Sequence, residues 1–201
     1  MSKRYFETVK YLVKIFLIKD KVVQSNCKVN SNEGVEIMVK WLRESNVSAI
    51  ILVLLRLYVG YTFLSHGWEK VSGGGFDASG FLQGAIKNPG VEGWWASFLE
   101  GVALPNIDLF NILVPWGEVL VGLGLILGCL TTAAAFFGVV MNFSFLFSGV
   151  ANPNALMALI IVFILVAGAN AGKYGLDRWV LPSVRQIMNK KGNDVAVPSK
   201  R

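Results

Sequence analysis

Four apolar stretches dominate the pattern of hydrophobic and polar residues. They run from Val47 to Ser65, from about Leu109 to Leu127, from about Thr132 to Gly149 and from about Asn154 to Ala171. At about 1.5 Å per helical residue, stretches of this length just cross the roughly 30 Å hydrocarbon core of a bilayer. The pattern predicts an all-α integral membrane protein built as a four-helix bundle.

The segment between the first two stretches has the pattern of short helices lying at a membrane surface. Asp77 can cap a helix that Asn88-Pro89-Gly90 would end, because proline cannot continue the hydrogen-bond ladder. Beyond that turn the bulky residues Trp94, Trp95 and Phe98 gather on one side of a second helix, as in an aromatic belt. We therefore expect short interfacial helices in this loop.

Basic residues are concentrated at the two ends of the chain. The first forty-six residues hold nine Lys or Arg against five acids, residues 66–108 hold two against five, and residues 172–201 hold seven against two. The positive-inside rule then predicts a multi-pass protein of the cell membrane with both termini in the cytoplasm and the first loop outside. On this interpretation the formal net charge of +6 reflects topology, and we expect no nucleic-acid partner.

The predicted domain limits follow this distribution. Residues 1–37 form a basic amino-terminal extension, residues 38–182 the four-helix membrane domain, and residues 183–201 a basic cytoplasmic tail. Apolar residues recur at helical spacing through residues 6–16, which is typical of an amphipathic surface helix. A disordered tail, or an upstream extension of a protein that starts at Met38, remains the alternative.

Three polar residues interrupt the apolar stretches at similar counted depths. Arg56 lies nine residues into the first, Glu118 at a matching depth in the second, and Asn142 ten residues into the third. A charge at mid-membrane is costly unless it is paired, so we expect Arg56 to point inward at Glu118. Such a group marks either a substrate or proton pathway or an ion pair that only fixes helix register.

A cationic face at the end of the first helix adds candidate chemistry. At roughly 100° per residue, Lys70 and His66 fall on the side of the helix that carries Arg56. These side chains could attract an anion or hold the oxygen of a reduced quinone, and ordinary snorkelling of interfacial side chains is the alternative. The predicted catalytic residues are Arg56, Glu118, His66 and Lys70, and the predicted substrate-binding residues are Asn142, Trp68, Glu69 and Trp116.

Cys27 and Cys129 have no metal-site or redox spacing, so no metal is expected.

Several motifs resemble those of the DoxX family of small membrane proteins over about residues 41–181. They are LRLYVGYTFLSHGWEK, GGFDASGFLQGAIKNP, PWGEVLVGLGLILG, ANPNALM and GANAGKYGLDRW. The resemblance implies four membrane helices. The matching motif positions are Arg56, Gly67, Glu69, Lys70, Pro115, Gly117, Glu118, Asn170, Gly172 and Asp177.

The closest similarity is to the DoxD-like branch, which implies a membrane subunit of a thiosulfate:quinone oxidoreductase with quinone as substrate. That activity would require a separate DoxA-like partner subunit. The sequence has no flavin or metal motif, and whether the chain is itself an enzyme stays open. The alternatives are a non-enzymatic anchor or scaffold of a redox or detoxification complex, and a small transporter that forms a homo-oligomer in the lipid bilayer.

Overall fold

The computed structural model describes residues 31–180 and 182–183, and within these residues every regular element is helical. The predicted amphipathic segment at residues 6–16 and nearly all of the predicted tail at 183–201 lie outside the described residues. The chain divides into two compact units, Met1–Met38 and Val39–Arg201, and the bundle belongs to the second. The domain limits expected from the sequence remain a prediction.

The helices follow the apolar pattern of the chain. The α-helices are α1 (Ser31–Glu44), α2 (Asn46–Ser72), α3 (Ser79–Lys87), α4 (Gly93–Phe98), α5 (Ile107–Leu127), α6 (Thr131–Phe147) and α7 (Asn154–Ala167). A π-helical turn (Leu99–Ala103) and a 3-10 turn (Leu104–Asn106) join α4 to α5, and a 3-10 helix (Gly168–Gly172) follows α7. All four predicted apolar helices are therefore present.

Three helical runs in the described residues have the length and hydropathy of a membrane span. They are Asn46–Ser72, Gly93–Leu127 and Asn154–Gly172, while α6 is a shorter apolar helix of 17 residues. In the run Gly93–Leu127 the short helix at Trp94 leads through the π-helical and 3-10 turns directly into the second span. Pro105 lies in the 3-10 turn of that run, next to the start of α5, where a missing backbone N–H is tolerated.

Helix ends are set by local sequence. Ser45 caps α2, its hydroxyl accepting a hydrogen bond from the Val47 N–H at 3.2 Å. The turn between α5 and α6 is the tight hairpin expected from the sequence, with Gly128 at φ 63° ending α5 in the left-handed region. At the start of α3, Asp77 accepts a hydrogen bond from the Ser79 N–H at 2.9 Å, as expected for a capping carboxylate.

Glycines let α2 and α5 pack closely in antiparallel directions. A Cβ added at Gly67 would lie 2.8 Å from the Val119 nitrogen, and one added at Gly122 would lie 2.6 Å from the Leu64 nitrogen. Small residues that allow such close approach are typical of membrane helix packing. This contact fixes the register, because it places Gly67 beside residues 115–119 of α5 and Gly60 beside Ile126.

Two apolar clusters hold the described helices together. The main cluster lies between α2, α5, α6 and α7 and includes Leu52, Val59, Phe63, Leu125, Ile161 and Ile164. A second cluster packs α3 against the turns that precede α5, through Ala78, Leu82, Ala85, Leu99 and Ala103. The connection from α2 to α5 is thus a folded element with its own core.

Candidate functional site

A partly buried ion pair joins the last turn of α2 to the middle of α5. The Lys70 ammonium lies 2.5 Å from Oε1 and 2.7 Å from Oε2 of Glu118. The Glu118 side chain is only 3% exposed, whereas the Lys70 side chain is 26% exposed. Lys70 therefore separates a buried carboxylate from the surroundings of the bundle.

Gly67 explains why this pair forms. Gly67 has no side chain, so α5 approaches α2 closely enough that an added Cβ would lie 2.9 Å from Cβ of Glu118. Residues three apart lie on the same face of a helix, so Lys70 emerges on the face that Gly67 presents to α5. Glycine, lysine and glutamate at these positions together bring the ammonium to both carboxylate oxygens.

Two aromatic rings lie close to the Lys70 ammonium. The Phe76 ring, just after α2, has its centroid 5.3 Å from Nζ, and the Phe145 ring of α6 has its centroid 5.6 Å from Nζ. At these distances the negative faces of the rings attract a cation. The ammonium is held by one carboxylate and by rings from two further segments.

A cavity of about 440 Å³ opens beside this pair at the end of α2. Its lining consists of His66, Glu69, Lys70, Gly73, Gly75 and Phe76. Glu118 is not among the lining residues, although it is close enough to His66 for an electrostatic interaction. A molecule in the cavity would therefore meet the Lys70 ammonium first, with the carboxylate behind it.

Asn142 lies in α6 near the depth of this pair and is completely buried. Neither its amide nitrogen nor its amide oxygen has a hydrogen-bond partner among the described residues. Its depth follows from its neighbours in α6, because Met141 lies against Gly117 and Phe145 lies against Lys70. A buried amide left without partners is costly, so this position requires an explanation beyond packing.

Arg56 does not pair with Glu118, and the expected contact between them is wrong. Arg56 is buried, at 2% exposure, as a charge within a span requires. Its Nη1 donates to the Ala171 carbonyl at 2.9 Å, and it is attracted by Asp177. Both groups belong to the segment that follows α7.

The register of α2 and α5 explains this correction. The helices are antiparallel, and Gly67, not Arg56, lies beside Glu118. Eleven residues separate Arg56 from Gly67, which is about 16 Å along a helix axis. The counted depths were measured from the ends of the apolar stretches, but α2 continues to Ser72, well beyond the stretch that ends at Ser65, so these counts do not give the register of the two helices.

Asp177 belongs to the matching motif positions, but its contacts were not predicted from the sequence. Its two carboxylate oxygens accept hydrogen bonds from the Leu130 N–H at 2.6 Å and the Thr131 N–H at 3.0 Å. Asp177 thus caps α6 from a different part of the chain. Its position after the last apolar run carries no periodic pattern that could have revealed this contact.

The remaining predicted site residues lie in different surroundings. Glu69 lines the cavity, whereas Trp68 and Trp116 have large exposed surfaces and are not among the cavity-lining residues. The structure therefore gathers His66, Glu69, Lys70 and Glu118 at one end of α2, with Asn142 near their depth. No group of three or more His, Cys, Asp or Glu side chains suited to a metal ion occurs within residues 31–180.

One comparison with known proteins gives a match. The DoxX family model matches residues 51–151, which is half of the 201-residue chain. No curated protein and no solved structure matches. The matched stretch contains Arg56, Lys70, Glu118 and Asn142 and ends before Asp177.

Proposed function

This chain belongs to the DoxX family of integral membrane proteins, and we propose that it is the membrane subunit of a quinone-linked oxidoreductase. The observation that carries the proposal is the cavity at the end of α2, where His66 and Lys70 are accessible and Glu118 lies behind Lys70. Reduction of a quinone consumes two electrons and two protons. Groups that hold protons and stabilise a negative oxygen are therefore what such a site needs.

The proposed roles follow from exposure and contact. Lys70 would donate a hydrogen bond to a quinone oxygen and stabilise the negative charge that develops there. His66 and Glu118 would carry protons to the reduced quinone, since an imidazole and a carboxyl group can each bind and release a proton and the carboxylate already contacts the lysine. Phe76 lines the same cavity and offers an aromatic surface to a planar ring.

The electrons would come from thiosulfate or a related reductant, delivered through a DoxA-like partner subunit. The surplus of basic residues at both chain ends supports placing both termini in the cytoplasm, with the cavity at the opposite membrane face. Lys70 lies near the end of a helix long enough to span the bilayer, so the cavity would be near the membrane surface.

A quinone-reduction assay tests this proposal. The purified chain, alone and with any co-purifying subunit, is mixed with thiosulfate and a water-soluble quinone, and the quinone absorbance is followed. We expect bleaching that falls by about 10²-fold or more in Glu118→Gln, as for loss of a positioned acid or base. Glu92→Gln removes an exposed carboxylate before α4 and serves as the matched control. No turnover with the partner present would refute the proposal.

The second candidate function is that of a membrane anchor without catalytic activity. It is favoured by the ion pair, in which both carboxylate oxygens of Glu118 are already bound. Both Glu118 oxygens contact Lys70 across the α2–α5 interface, as in a contact that fixes helix register. If this is the whole role of the pair, Glu118→Gln lowers the unfolding temperature and changes no ligand response. Preserved stability with lost quinone reduction would exclude the anchor.

A further inference from the structure

We propose that Lys70 and Glu118 form a displaceable ion pair that couples oxyanion binding to proton uptake. A tetrahedral oxyanion entering the cavity takes over the Lys70 ammonium, and Glu118 takes up one proton from water as its contact with lysine is lost. No electrons move in this step, and the lysine stays charged. The inference depends on the cavity used in the proposed function but on no quinone chemistry.

The arrangement of the cavity favours an anion as the ligand. Lys70 and His66 line it together with one acid, Glu69, while the Glu118 carboxylate lies behind the ammonium and is almost inaccessible. An entering molecule therefore meets hydrogen-bond donors before it meets the buried acid. The contact of Lys70 with both oxygens of Glu118 shows that this ammonium can bind an oxyanion through two oxygens at once.

Proton uptake follows from the burial of Glu118. Once Lys70 turns to another anion, the carboxylate is left 3% exposed and without its cation. A buried charge that loses its partner normally becomes neutral, because desolvation penalises the ionised form. In the complete step, one anion binds to Lys70 and one proton binds to Glu118, so that the ion pair is replaced by a lysine-bound anion and a neutral Glu118.

The other ionisable groups around the pair favour this coupling. On α2, Glu69 lines the cavity together with His66, and α6 carries no ionisable residue between Thr131 and Phe147. Asp77, before α3, accepts hydrogen bonds from Ser79. The carboxylates of Glu69 and Glu118 therefore act against the Lys70 ammonium on an entering anion, and neutralising Glu118 with a proton lowers this repulsion.

The aromatic rings allow the ammonium to change partners. Phe76 and Phe145 lie 5.3 and 5.6 Å from Nζ, on segments other than the one that carries Glu118. Their attraction for a cation persists while the carboxylate is released. Lys70 can therefore rotate toward the cavity without losing all of its contacts.

Sulfate binding to the purified full chain tests the inference. In a weakly buffered solution with an indicator dye, sulfate should raise the pH, whereas chloride at equal ionic strength should not. The rise should correspond to the uptake of about one proton per bound sulfate. The apparent Kd should rise about tenfold for each pH unit wherever Glu118 is ionised in the free protein. Sulfate binding without proton uptake, or no sulfate binding at all, would overturn the proposal.

Two matched variants localise the coupling. Glu118→Gln has nearly the same shape and frees Lys70, so sulfate should bind more tightly and without the pH dependence. Glu69→Gln removes a carboxylate from the same cavity but leaves the pair intact, so binding should tighten while the proton uptake stays. Pair-linked coupling is refuted if Glu69→Gln abolishes the uptake or if Glu118→Gln retains it.

The source of the oxyanion is distinguished in phosphatidylcholine vesicles with and without phosphatidylglycerol. Competition between phosphatidylglycerol and sulfate would identify a lipid phosphate as a ligand. Sulfate binding unchanged by the lipid would identify a dissolved anion, and both outcomes support the proposed site.

Proton-coupled sulfate binding without quinone reduction in the presence of the partner would refute the oxidoreductase and leave this inference standing. Quinone reduction without proton-coupled binding would do the reverse.

Discussion

Replacing Gly67 with alanine tests the helix contact on which the Lys70–Glu118 pair depends. An added Cβ would lie 2.8 Å from the Val119 nitrogen and 2.9 Å from both the Pro115 carbonyl oxygen and Cβ of Glu118. Two of these three atoms belong to the backbone, so α5 has to move away from α2. Such overpacking typically costs about 1–3 kcal/mol.

Part of this cost is offset locally. Alanine is a better helix former than glycine by about 1 kcal/mol in a helix interior. We therefore expect Gly67→Ala to lower the free energy of unfolding by about 1–2 kcal/mol, taking the upper part of the overpacking range because backbone atoms are involved. The same displacement lengthens the contact between Lys70 and Glu118, so ligand binding at the cavity should weaken as well.

Gly84→Ala is the matched control. Gly84 lies inside α3, and a Cβ added there meets no atom within 4 Å. Only the propensity gain applies, so this variant should be as stable as the wild type or slightly more stable. Both are measured by denaturant unfolding in mixed micelles, with the midpoint and slope compared. The packing argument fails if Gly67→Ala is as stable as Gly84→Ala.

Three further predictions follow from the contacts. Double-mutant cycles on unfolding should give a coupling of about 1–3 kcal/mol between Lys70 and Glu118 and less than about 0.5 kcal/mol between Arg56 and Glu118; the reverse order would restore the pairing expected from the sequence. Asp177→Asn replaces a buried carboxylate whose two oxygens accept from the Leu130 and Thr131 N–H groups and should cost about 1–3 kcal/mol in unfolding experiments, and an unchanged stability would contradict its capping role. The hydroxyl and N–H of Ser79 hold the pKa of Asp77 below its usual range. The stabilisation that Asp77 gives α3 is therefore complete above its unfolded-state pKa and lost as the pH falls through its folded-state pKa, and hydrogen exchange in α3 should show this loss in the wild type but not in Asp77→Asn.

The fold was predictable because hydropathy and turn chemistry act locally. Apolar stretches of spanning length predicted the four apolar helices, and the short segment at Gly128 predicted the hairpin between α5 and α6. The cost of placing polar groups in a membrane also predicted correctly that Arg56, Glu118 and Asn142 would be buried. None of these inferences requires the relative position of two helices.

The partners of these polar groups depend on register, which residue counts along separate stretches do not determine. The closest approach of α2 to α5 is set by Gly60, Gly67 and Gly122, and this contact places Glu118 beside the last turn of α2. Asp177 was equally hard to place, because its contacts to α6 span 46 and 47 residues of sequence. A slip of one helical turn, about 5.4 Å, would be enough to change an ion-pair partner.

The two charged groups of α2 differ in whether a ligand could reach them. Around Arg56 the chain itself closes the space, since Leu176 and Asp177 donate backbone hydrogen bonds to Leu127 and Gly128, and a Cβ at Gly175 would lie 2.7 Å from Cα of Gly128. Lys70 instead lines a cavity and forms an ion pair with the Glu118 carboxylate. Changes at Arg56 should therefore act through stability alone, whereas changes at Lys70 should alter ligand binding as well as stability. Substitutions at Arg56 and at Lys70 can therefore be compared in the same two measurements, the free energy of unfolding and the ligand affinity.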